Sequence, residues 1–315
     1  MSRIHDALKK ATEERAAVPI AEGSTLPKEV SEPEDWHANT APTLSDPGTA
    51  ASPSTGPARY LRFDELQRRC AHPEWQLDPN VNVFYNTTLN PHAAEQFRTL
   101  RTRLYQLRAS QPMQTLLVTS ALAGEGKTFV TSNLAQAIVH QPDRRVLIID
   151  GDLRCARLHL PLGAPTAPGL TDYLRGEADE MAIIQHGREG NLCFIPGGNE
   201  VSNPSELLSN GQLKRLLERM TPVFDWVILD SPPCVPVADA SILAALCDAV
   251  LLVVRAGSTP TDVARKACQE LQGKNVVGVV LNAIDESSMH GGYYKAGRYG
   301  YGYVYGGNGR AASKN

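Results

Sequence analysis

Short apolar runs alternate with segments of helical periodicity over residues 115–281. The runs are rich in Val, Ile and Leu and are apolar throughout, which is typical of strands that are buried on both faces of a parallel sheet. Strands are predicted over residues 115–120, 145–150, 192–196, 226–230, 249–254 and 276–281. Helices are predicted over residues 127–140, 205–220, 238–246 and 260–272. Repeated βα units of this kind predict an α/β fold with a doubly wound, mainly parallel sheet that binds its ligand at the carboxyl ends of the strands.

Two segments near the start of the chain lack this alternation of strand and helix patterns. Residues 1–17 are predicted to form a short helix, because the apolar residues at positions 4, 7, 8 and 11 share one face. We interpret this helix as a docking element for a partner protein, with a frayed terminus of no function as the alternative. Residues 18–58 are rich in proline and small polar residues and have too little apolar surface to offset the entropy cost of ordering. They are predicted to be a disordered, fairly extended linker.

The chain ends in a Gly- and Tyr-rich tail over residues 291–315, after a predicted globular domain over residues 59–290. Six of the ten tyrosines of the chain lie in this tail, at Tyr293, Tyr294, Tyr299, Tyr301, Tyr303 and Tyr305. The tail carries four lysines and arginines and no acidic residue. It is predicted to be flexible, and a low-complexity end without a function is the alternative.

Composition and charge narrow the classes of protein that fit. The net charge of −3 gives no overall positive field that would attract nucleic acid, so no nucleic-acid partner is expected. The six cysteines are scattered, several of them in apolar runs, and include no Cys-x-x-Cys pair, which indicates reduced core thiols and argues against an iron–sulfur carrier. The sequence has neither a signal-peptide pattern nor an apolar stretch of about 18 residues that would span a bilayer. We therefore expect a cytoplasmic protein that is held at a membrane only through a partner.

A glycine-rich loop connects the first predicted strand to the helix that follows it. Residues 120–128 read Ser-Ala-Leu-Ala-Gly-Glu-Gly-Lys-Thr, with Ala121 in place of the first glycine of the strict pattern. A strand, a glycine loop and a helix in this order form a cradle for nucleotide phosphates, because backbone N–H groups and the helix start favour an anion. Lys127 is expected to reach the β- and γ-phosphates, and the Thr128 hydroxyl is expected to bind Mg²⁺. A chance Gly-Lys-Thr in an ordinary turn is the alternative.

Acidic residues follow two further predicted strands. Asp150 and Asp152 belong to an Asp-Gly-Asp-Leu-Arg sequence, and Asp230 belongs to Asp-Ser-Pro-Pro. Because the carboxyl ends of parallel strands meet at one edge of a sheet, we expect these carboxylates beside the glycine loop. There they would hold Mg²⁺ or accept a proton from an attacking hydroxyl. Aspartates that only cap loops and helices are the alternative.

Together these motifs resemble those of the bacterial tyrosine kinases (BY-kinases) of capsule and exopolysaccharide synthesis, as does the tyrosine tail. The resemblance continues through residues 236–240, 251–257 and 279–282 and covers roughly residues 92–305. The first residues of the chain also resemble the exosortase-associated members of that family. The resemblance implies a P-loop NTPase fold of the MinD/ParA type. It also implies an ATP- and Mg²⁺-dependent protein-tyrosine autokinase that phosphorylates its tail in trans and regulates exopolysaccharide synthesis or export.

The resemblance implies roles for individual residues of the site. The catalytic residues would be Lys127, Asp150, Asp152 and Asp230, with Asp150 the better candidate to activate the tyrosine hydroxyl. Mg²⁺ would be held by Thr128, Asp150 and Asp230. ATP would be bound by Ala123, Gly124, Glu125, Gly126, Lys127, Thr128 and Phe129, with Asn282 near the adenine. The phosphoacceptors would be the six tail tyrosines.

Partners are implied in the same way. Glu95, Arg98 and Arg101 line one face of a helix predicted over residues 92–108 and match the Glu-x-x-Arg-x-x-Arg motif through which family members form rings. A solvated helix face with internal ion pairs is the alternative. A membrane-embedded, Wzz-like chain-length determinant and a tyrosine phosphatase are further implied partners. Since each phosphate adds about −1.5 to −2 charge, we expect the positive tail to permit assembly and the phosphorylated tail to loosen it.

Two other functions compete with this interpretation. An ATPase switch of the MinD/ParA group usually carries a second lysine near the start of the glycine loop, where this chain has Leu122. A regulatory module that only senses ATP would not need the complete set of Lys127, Thr128, Asp150 and Asp230. Against the kinase family pattern, Ala123 replaces a common proline and Cys155 replaces a usual basic residue, but neither change removes a functional group.

Overall fold

The computed structural model describes residues 61–85, 91–187 and 190–284. The predicted docking helix, the predicted linker and the tyrosine tail therefore lie outside the described residues. All described residues belong to the structural unit Gly56–Asn315. Within the three described ranges, no helix combines the length and the apolar character that crossing a membrane requires.

The described residues form one seven-stranded sheet. Its strands are β1 Thr115–Ser120, β2 Val146–Asp150, β3 Gln185–His186, β4 Leu192–Ile195, β5 Trp226–Asp230, β6 Ala249–Arg255 and β7 Val276–Asn282. They lie in the order β3-β4-β2-β5-β1-β6-β7. Neighbouring strands are parallel except β3, which runs antiparallel to β4. The mainly parallel sheet predicted from the apolar runs is therefore confirmed.

Helices cover both faces of this sheet. They are α1 Phe63–Arg69, α2 Pro91–Ser110, α3 Lys127–Val139, α4 His159–Leu162, α5 Leu170–Leu174, α6 Glu180–Ile183, α7 Pro204–Ser209, α8 Gln212–Met220, α9 Asp239–Ala244 and α10 Thr261–Glu270. One core packs α1 and α5–α10 against side chains such as Leu117. The other core packs α2–α4 against side chains such as Leu116 and Val118. Successive strand residues thus enter different cores, which explains why the strands are apolar throughout and confirms the doubly wound fold.

The helix predicted over residues 205–220 is two helices, α7 and α8. Gly211 lies between them with φ at 84°, in the left-handed region that a continuous right-handed helix cannot contain. The side-chain amide of Asn210 donates to the Leu174 carbonyl at 2.8 Å, which ties the break to α5. The short strand β3 was also not predicted, since two residues are too few to produce a hydrophobic pattern.

The prediction that every strand is buried on both faces is wrong for β7. Val279 and Leu281 expose 59% and 54% of their surface, whereas Val277 and Val280 pack against the core that contains α2 and α3. β7 is the last strand in the sheet order, so within the described part of the chain it pairs with β6 alone. Among the described residues, the face of β7 that carries Val279 and Leu281 is therefore not packed against helices as the central strands are.

All six cysteines of the chain lie in the described ranges and are free thiols. Four of them are fully or partly buried, namely Cys70, Cys193, Cys234 and Cys247. Cys155 and Cys268 are exposed. The prediction of reduced core thiols thus fits four positions, and the two exposed thiols lie on the loop after β2 and on α10.

Candidate functional site

The candidate site lies at the edge of the sheet where the parallel strands end. β1 ends at Ser120, and residues 121–126 form the glycine loop that leads into α3. Asp150 and Asp230 are the last residues of β2 and β5 and are register partners on adjacent strands. Because neighbouring strands lie about 4.8 Å apart, the two carboxylates are close neighbours beside the loop. The structure thus brings together the motifs that lie far apart in the sequence.

The glycine loop owes its shape to two residues in the left-handed region. Gly124 has φ at 79°, and Gly126, which caps the N-terminus of α3, has φ at 93°. A Cβ atom on Gly126 would displace the side-chain amide of Asn282, and the positive φ would strain any residue other than glycine at this position. The first backbone N–H groups of α3 have no intrahelical acceptor. Together with the helix dipole they make the end of the loop a favourable place for an anion.

Lys127 and Thr128 are the first two residues of α3, and each contacts one of the predicted aspartates. The ammonium nitrogen of Lys127 lies 3.2 Å from a carboxylate oxygen of Asp152, and both side chains are largely buried. The Thr128 hydroxyl donates to a carboxylate oxygen of Asp230 at 2.5 Å. The other oxygen of Asp230 accepts from Thr131 at 3.4 Å. A cation, a hydroxyl and two carboxylates therefore converge at the start of the helix.

Asp150 is completely buried, and backbone groups hold both of its oxygens. One oxygen accepts from the N–H of Asp152 at 3.2 Å, and the other accepts from the N–H of Leu158 at 2.8 Å. Burial, followed by the negative charge of Asp230, raises the pKa of Asp150 to about 8. Burial also raises the pKa of Asp230 to about 6, although Lys127 and the Thr128 hydrogen bond oppose this shift. The site therefore favours a proton on the Asp150–Asp230 pair near neutral pH.

The predicted Mg²⁺ and nucleotide ligands fit this arrangement. The described residues contain no group of three or more His, Cys, Asp or Glu side chains that would cage a metal by themselves. Mg²⁺ does not require such a cage, because it keeps several waters and is usually held by one or two carboxylates together with phosphate oxygens. Thr128 and Asp230 would supply one hydroxyl and one carboxylate at the mouth of an anion-binding loop. The donor set is thus the one that a nucleotide phosphate with Mg²⁺ requires.

Two predicted ATP-binding residues have other contacts in the structure. The Phe129 ring packs edge-on against Phe97 of α2, with ring centroids 5.7 Å apart. The side-chain amide of Asn282 donates to the backbone carbonyl of Glu125 at 2.8 Å. Ala123 is exposed at the tip of the loop. The assignment of Asn282 to the adenine remains a prediction, and in the structure this residue supports the loop itself.

A buried carboxylate that the sequence did not single out as a site residue anchors the loop after β2. Arg154 donates to both oxygens of Asp239, from Nε at 2.6 Å and from Nη2 at 3.2 Å. The Ser205 hydroxyl at the start of α7 donates to the same carboxylate. These contacts fix the segment that carries Asp150 and Asp152 to the starts of α7 and α9. The sequence offers two signals for Asp239: it falls in the first turn of a predicted helix, where an acidic residue is common, and it belongs to residues 236–240, over which the kinase resemblance continues.

The three predicted oligomer-contact residues lie on α2 and have unequal surroundings. Arg98 pairs with Glu95 at 3.2 Å on the same helix, and both side chains are exposed. Arg101 instead donates to the carbonyl of Ala137 in α3 at 2.6 Å. The Arg98 guanidinium also lies 5.8 Å from the centre of the Phe84 ring, whereas Arg101 joins two helices of its own chain. Its assignment as an oligomer contact remains a prediction.

Replacing Arg101 with alanine is expected to lower the free energy of unfolding by about 1–2 kcal/mol, because the change removes a charged hydrogen bond between α2 and α3. Arg103→Ala on the same helix is the matched control. Arg103 is exposed, so its effect is expected to stay within about 0.5 kcal/mol. Urea unfolding followed by circular dichroism measures both. Equal losses in the two variants would contradict the role assigned to Arg101.

The six predicted phosphoacceptor tyrosines lie outside the described residues. The comparisons with known proteins reported below cover up to about two thirds of the chain. A family model described as "Cellulose biosynthesis protein BcsQ" matches residues 113–264. The tyrosine-protein kinase ptk of Acinetobacter johnsonii is 37% identical over 211 residues, which are 66% of this chain and 29% of that relative. This chain thus spans less than a third of the length of the Acinetobacter relative.

Two further matches extend over most of the proteins concerned. The kinase domain of the Escherichia coli tyrosine kinase ETK has a TM-score of 0.60 and 35% sequence identity, covering 69% of this chain and 83% of that chain. The tyrosine-protein kinase YwqD of Bacillus subtilis is 34% identical over 217 residues, which are 68% of this chain and 91% of that relative. The described fold is therefore shared with a named kinase domain, and the chain belongs to the family of bacterial tyrosine kinases.

Proposed function

We propose that this chain is an ATP- and Mg²⁺-dependent protein-tyrosine autokinase that transfers a γ-phosphate to its own tail tyrosines in trans. The observation that carries the proposal is the convergence of Lys127 and three aspartates at one edge of the sheet, beside a glycine loop at a helix start. Phosphoryl transfer requires this combination of anion-binding backbone, cation and carboxylates. The family membership supports the same activity.

Each residue of the site has a task in this reaction. Lys127 would leave Asp152 and bind the β- and γ-phosphate oxygens. Mg²⁺, when bound, supplies positive charge to the phosphates and lowers the pKa of neighbouring acids. The tyrosine oxygen forms a bond to the γ-phosphorus while the bond from that phosphorus to the ADP oxygen breaks. The proton of the tyrosine hydroxyl passes to a carboxylate, and we assign this role to Asp150, which is protonated in the ligand-free site and would be ionised when bound Mg²⁺ lowers its pKa.

The setting that we propose is exopolysaccharide synthesis or export. The match of residues 113–264 to a family model described as a cellulose biosynthesis protein supports a role connected with polysaccharides. We place the protein at the inner face of the plasma membrane through a membrane-embedded, Wzz-like partner, with residues 1–17 or the α2 face as the docking surface. Assembly of several copies into a ring through the α2 face, and a tyrosine phosphatase that reverses the reaction, complete the proposal.

Intact-mass measurement after incubation with ATP and Mg²⁺ tests the proposed activity. The wild-type protein is incubated alone and with the cytoplasmic fragment of a candidate membrane partner. We expect stepwise phosphate additions that map to the region between Tyr293 and Tyr305. A variant in which all six tail tyrosines are changed to Phe serves as the acceptor control and should gain no phosphate.

Two outcomes would contradict the proposal. If ADP accumulates without any change in mass under both conditions, the chain is an ATPase switch of the MinD/ParA type. If the six-fold Phe variant gains as many phosphates as the wild type, the acceptors lie elsewhere in the chain. The same variant tests the assembly hypothesis, because a tail that cannot be phosphorylated should keep the protein in its larger assembly after ATP is added.

A further inference from the structure

The glycine loop is held in place by three residues from the other half of the domain. Arg255 ends β6 and donates from its guanidinium to the carbonyl of Gly124 at 3.1 Å. The Thr259 hydroxyl donates to a carboxylate oxygen of Glu125. Asn282, at the end of β7, donates to the backbone carbonyl of Glu125 at 2.8 Å. The loop after β1 is thus tied to the loop after β6 and to the end of β7.

The Glu125 side chain is the centre of these contacts. It lies in the middle of the loop and exposes only 3% of its surface. One carboxylate oxygen accepts from Thr259, and the other accepts from the N–H of Leu122 at 2.9 Å. The second bond closes the loop on itself, since Leu122 lies three residues before Glu125. A buried carboxylate is retained only where hydrogen bonds compensate for its lost hydration, and here both oxygens have donors.

A negative side chain inside a loop that binds phosphate repels the anion, so the presence of Glu125 there indicates a structural task. The backbone N–H groups must point toward the anion, and Glu125 lies between two glycines in the left-handed region, Gly124 and Gly126. Glycine has many alternative conformations, so a loop of this composition does not keep one shape by itself. The bonds of Glu125 to Leu122 and Thr259 select the conformation without a ligand. Such preorganisation reduces the entropy that phosphate binding would otherwise lose.

The Thr259 hydroxyl makes two hydrogen bonds. It donates to Glu125 and accepts from the backbone N–H of Arg255 at 3.2 Å. Serine would preserve both bonds, whereas valine would keep the shape of the side chain and remove both. Thr261, two residues later at the start of α10, is exposed and provides a matched control.

We propose that Glu125 and Thr259 are positioning residues that hold the glycine loop in its phosphate-binding shape. This inference rests on the proposed function only in that the loop binds a nucleotide. Neither side chain would touch the phosphates, because the Glu125 carboxylate faces Leu122 and Thr259. Their contribution is therefore to the affinity for nucleotide and not to the chemical step.

Titration of the wild-type protein and of Thr259→Val, Thr259→Ser and Thr261→Val with a fluorescent ADP analogue and Mg²⁺ tests the proposal. We expect Thr259→Val to weaken binding about tenfold, as is usual for a lost hydrogen bond to a charged group. Thr259→Ser and Thr261→Val should stay within about twofold of the wild type. In the kinase assay, Thr259→Val should raise KM for ATP by a similar factor and leave kcat at saturating ATP nearly unchanged.

Three results would overturn the proposal. Equal affinity of Thr259→Val and Thr261→Val would show that the contact does not shape the loop. A fall in kcat of Thr259→Val with unchanged KM would assign Thr259 to the chemical step. Failure of the wild type to bind the ADP analogue would overturn the proposed function together with this inference, whereas binding without tyrosine phosphorylation would overturn the proposed kinase activity alone.

Discussion

Replacing Lys127 with methionine is expected to reduce the rate of tyrosine phosphorylation by at least about 100-fold, the usual effect of removing one group that stabilises developing negative charge. Lys127 is the cation at the mouth of the glycine loop, and its ammonium nitrogen lies 3.2 Å from Asp152. Methionine has a similar length and no charge, so it leaves Asp150, Asp152 and Asp230 without this positive neighbour. The charge of the site would then repel phosphate.

Intact mass and quantified phosphotyrosine at saturating ATP measure this effect. Lys214→Met is the matched control, because Lys214 lies on α8, is mostly exposed and pairs with Glu218 of the same helix at 3.9 Å. The control should retain the wild-type rate. A Lys127→Met protein with more than about a tenth of the wild-type rate would remove Lys127 from the proposed mechanism.

Replacing Asp150 with asparagine is expected to abolish most of the kinase activity while the protein still folds. The rate of tyrosine phosphorylation should fall about 100-fold or more, since an amide cannot accept the proton of the tyrosine hydroxyl. The variant should nevertheless fold, because asparagine matches the volume of aspartate and, like the protonated Asp150, places no charge beside Asp230. One of the two backbone N–H groups that now bond to Asp150 would face the amide nitrogen, which costs about one hydrogen bond.

The pH dependence of stability gives this substitution a second, independent test. Burial and the nearby Asp230 raise the pKa of Asp150 from 3.8 to about 8 in the folded protein. Between these values the folded state keeps a proton that the unfolded chain releases, so the free energy of unfolding falls as the pH rises from about 4 to about 8. Asp150→Asn removes this contribution, and its stability should change less with pH.

Urea unfolding at pH 5 and pH 8 measures the difference. The free energy of unfolding of Asp150→Asn minus that of the wild type should rise between pH 5 and pH 8, by on the order of 3 kcal/mol. Asp179→Asn provides a control for carboxylate removal, because Asp179 caps the short helix α6, away from the glycine loop. A wild-type stability that rises between pH 5 and pH 8 in parallel with that of Asp150→Asn would contradict the protonated state assigned to Asp150.

The strands nearest the site could be predicted from the sequence because they are central in the sheet. β1 and β5 have the predicted bounds, since burial on both faces requires an uninterrupted apolar run. The break between α7 and α8 could not be predicted in the same way. It depends on a hydrogen bond from Asn210 to Leu174, a residue that is 36 positions away.

The same distinction applies to the candidate site. Lys127, Thr128 and the three aspartates could be placed together because each belongs to a motif at the end of a strand. Thr259 and Ser205 belong to no such motif, and their contacts follow from the sheet order and from where the loops meet. The contact of Arg255 could be predicted from its position, because it ends β6 beside β1 and a residue there faces the loop after β1. Making that prediction requires the strand order, which the sequence pattern does not contain.

The unequal burial of the six thiols makes the protein suitable for selective labelling. Burial raises the pKa of Cys70 and Cys193, raises that of Cys234 to about 11, and raises that of Cys247 further. Alkylating reagents attack accessible thiolates, so brief treatment with a maleimide should modify Cys155 and Cys268 first. In a Cys268→Ser background, a single fluorophore would then sit on Cys155, next to Arg154 and three residues after Asp152. The native sequence thus carries its own attachment point for following the loop after β2 by fluorescence as nucleotide is added.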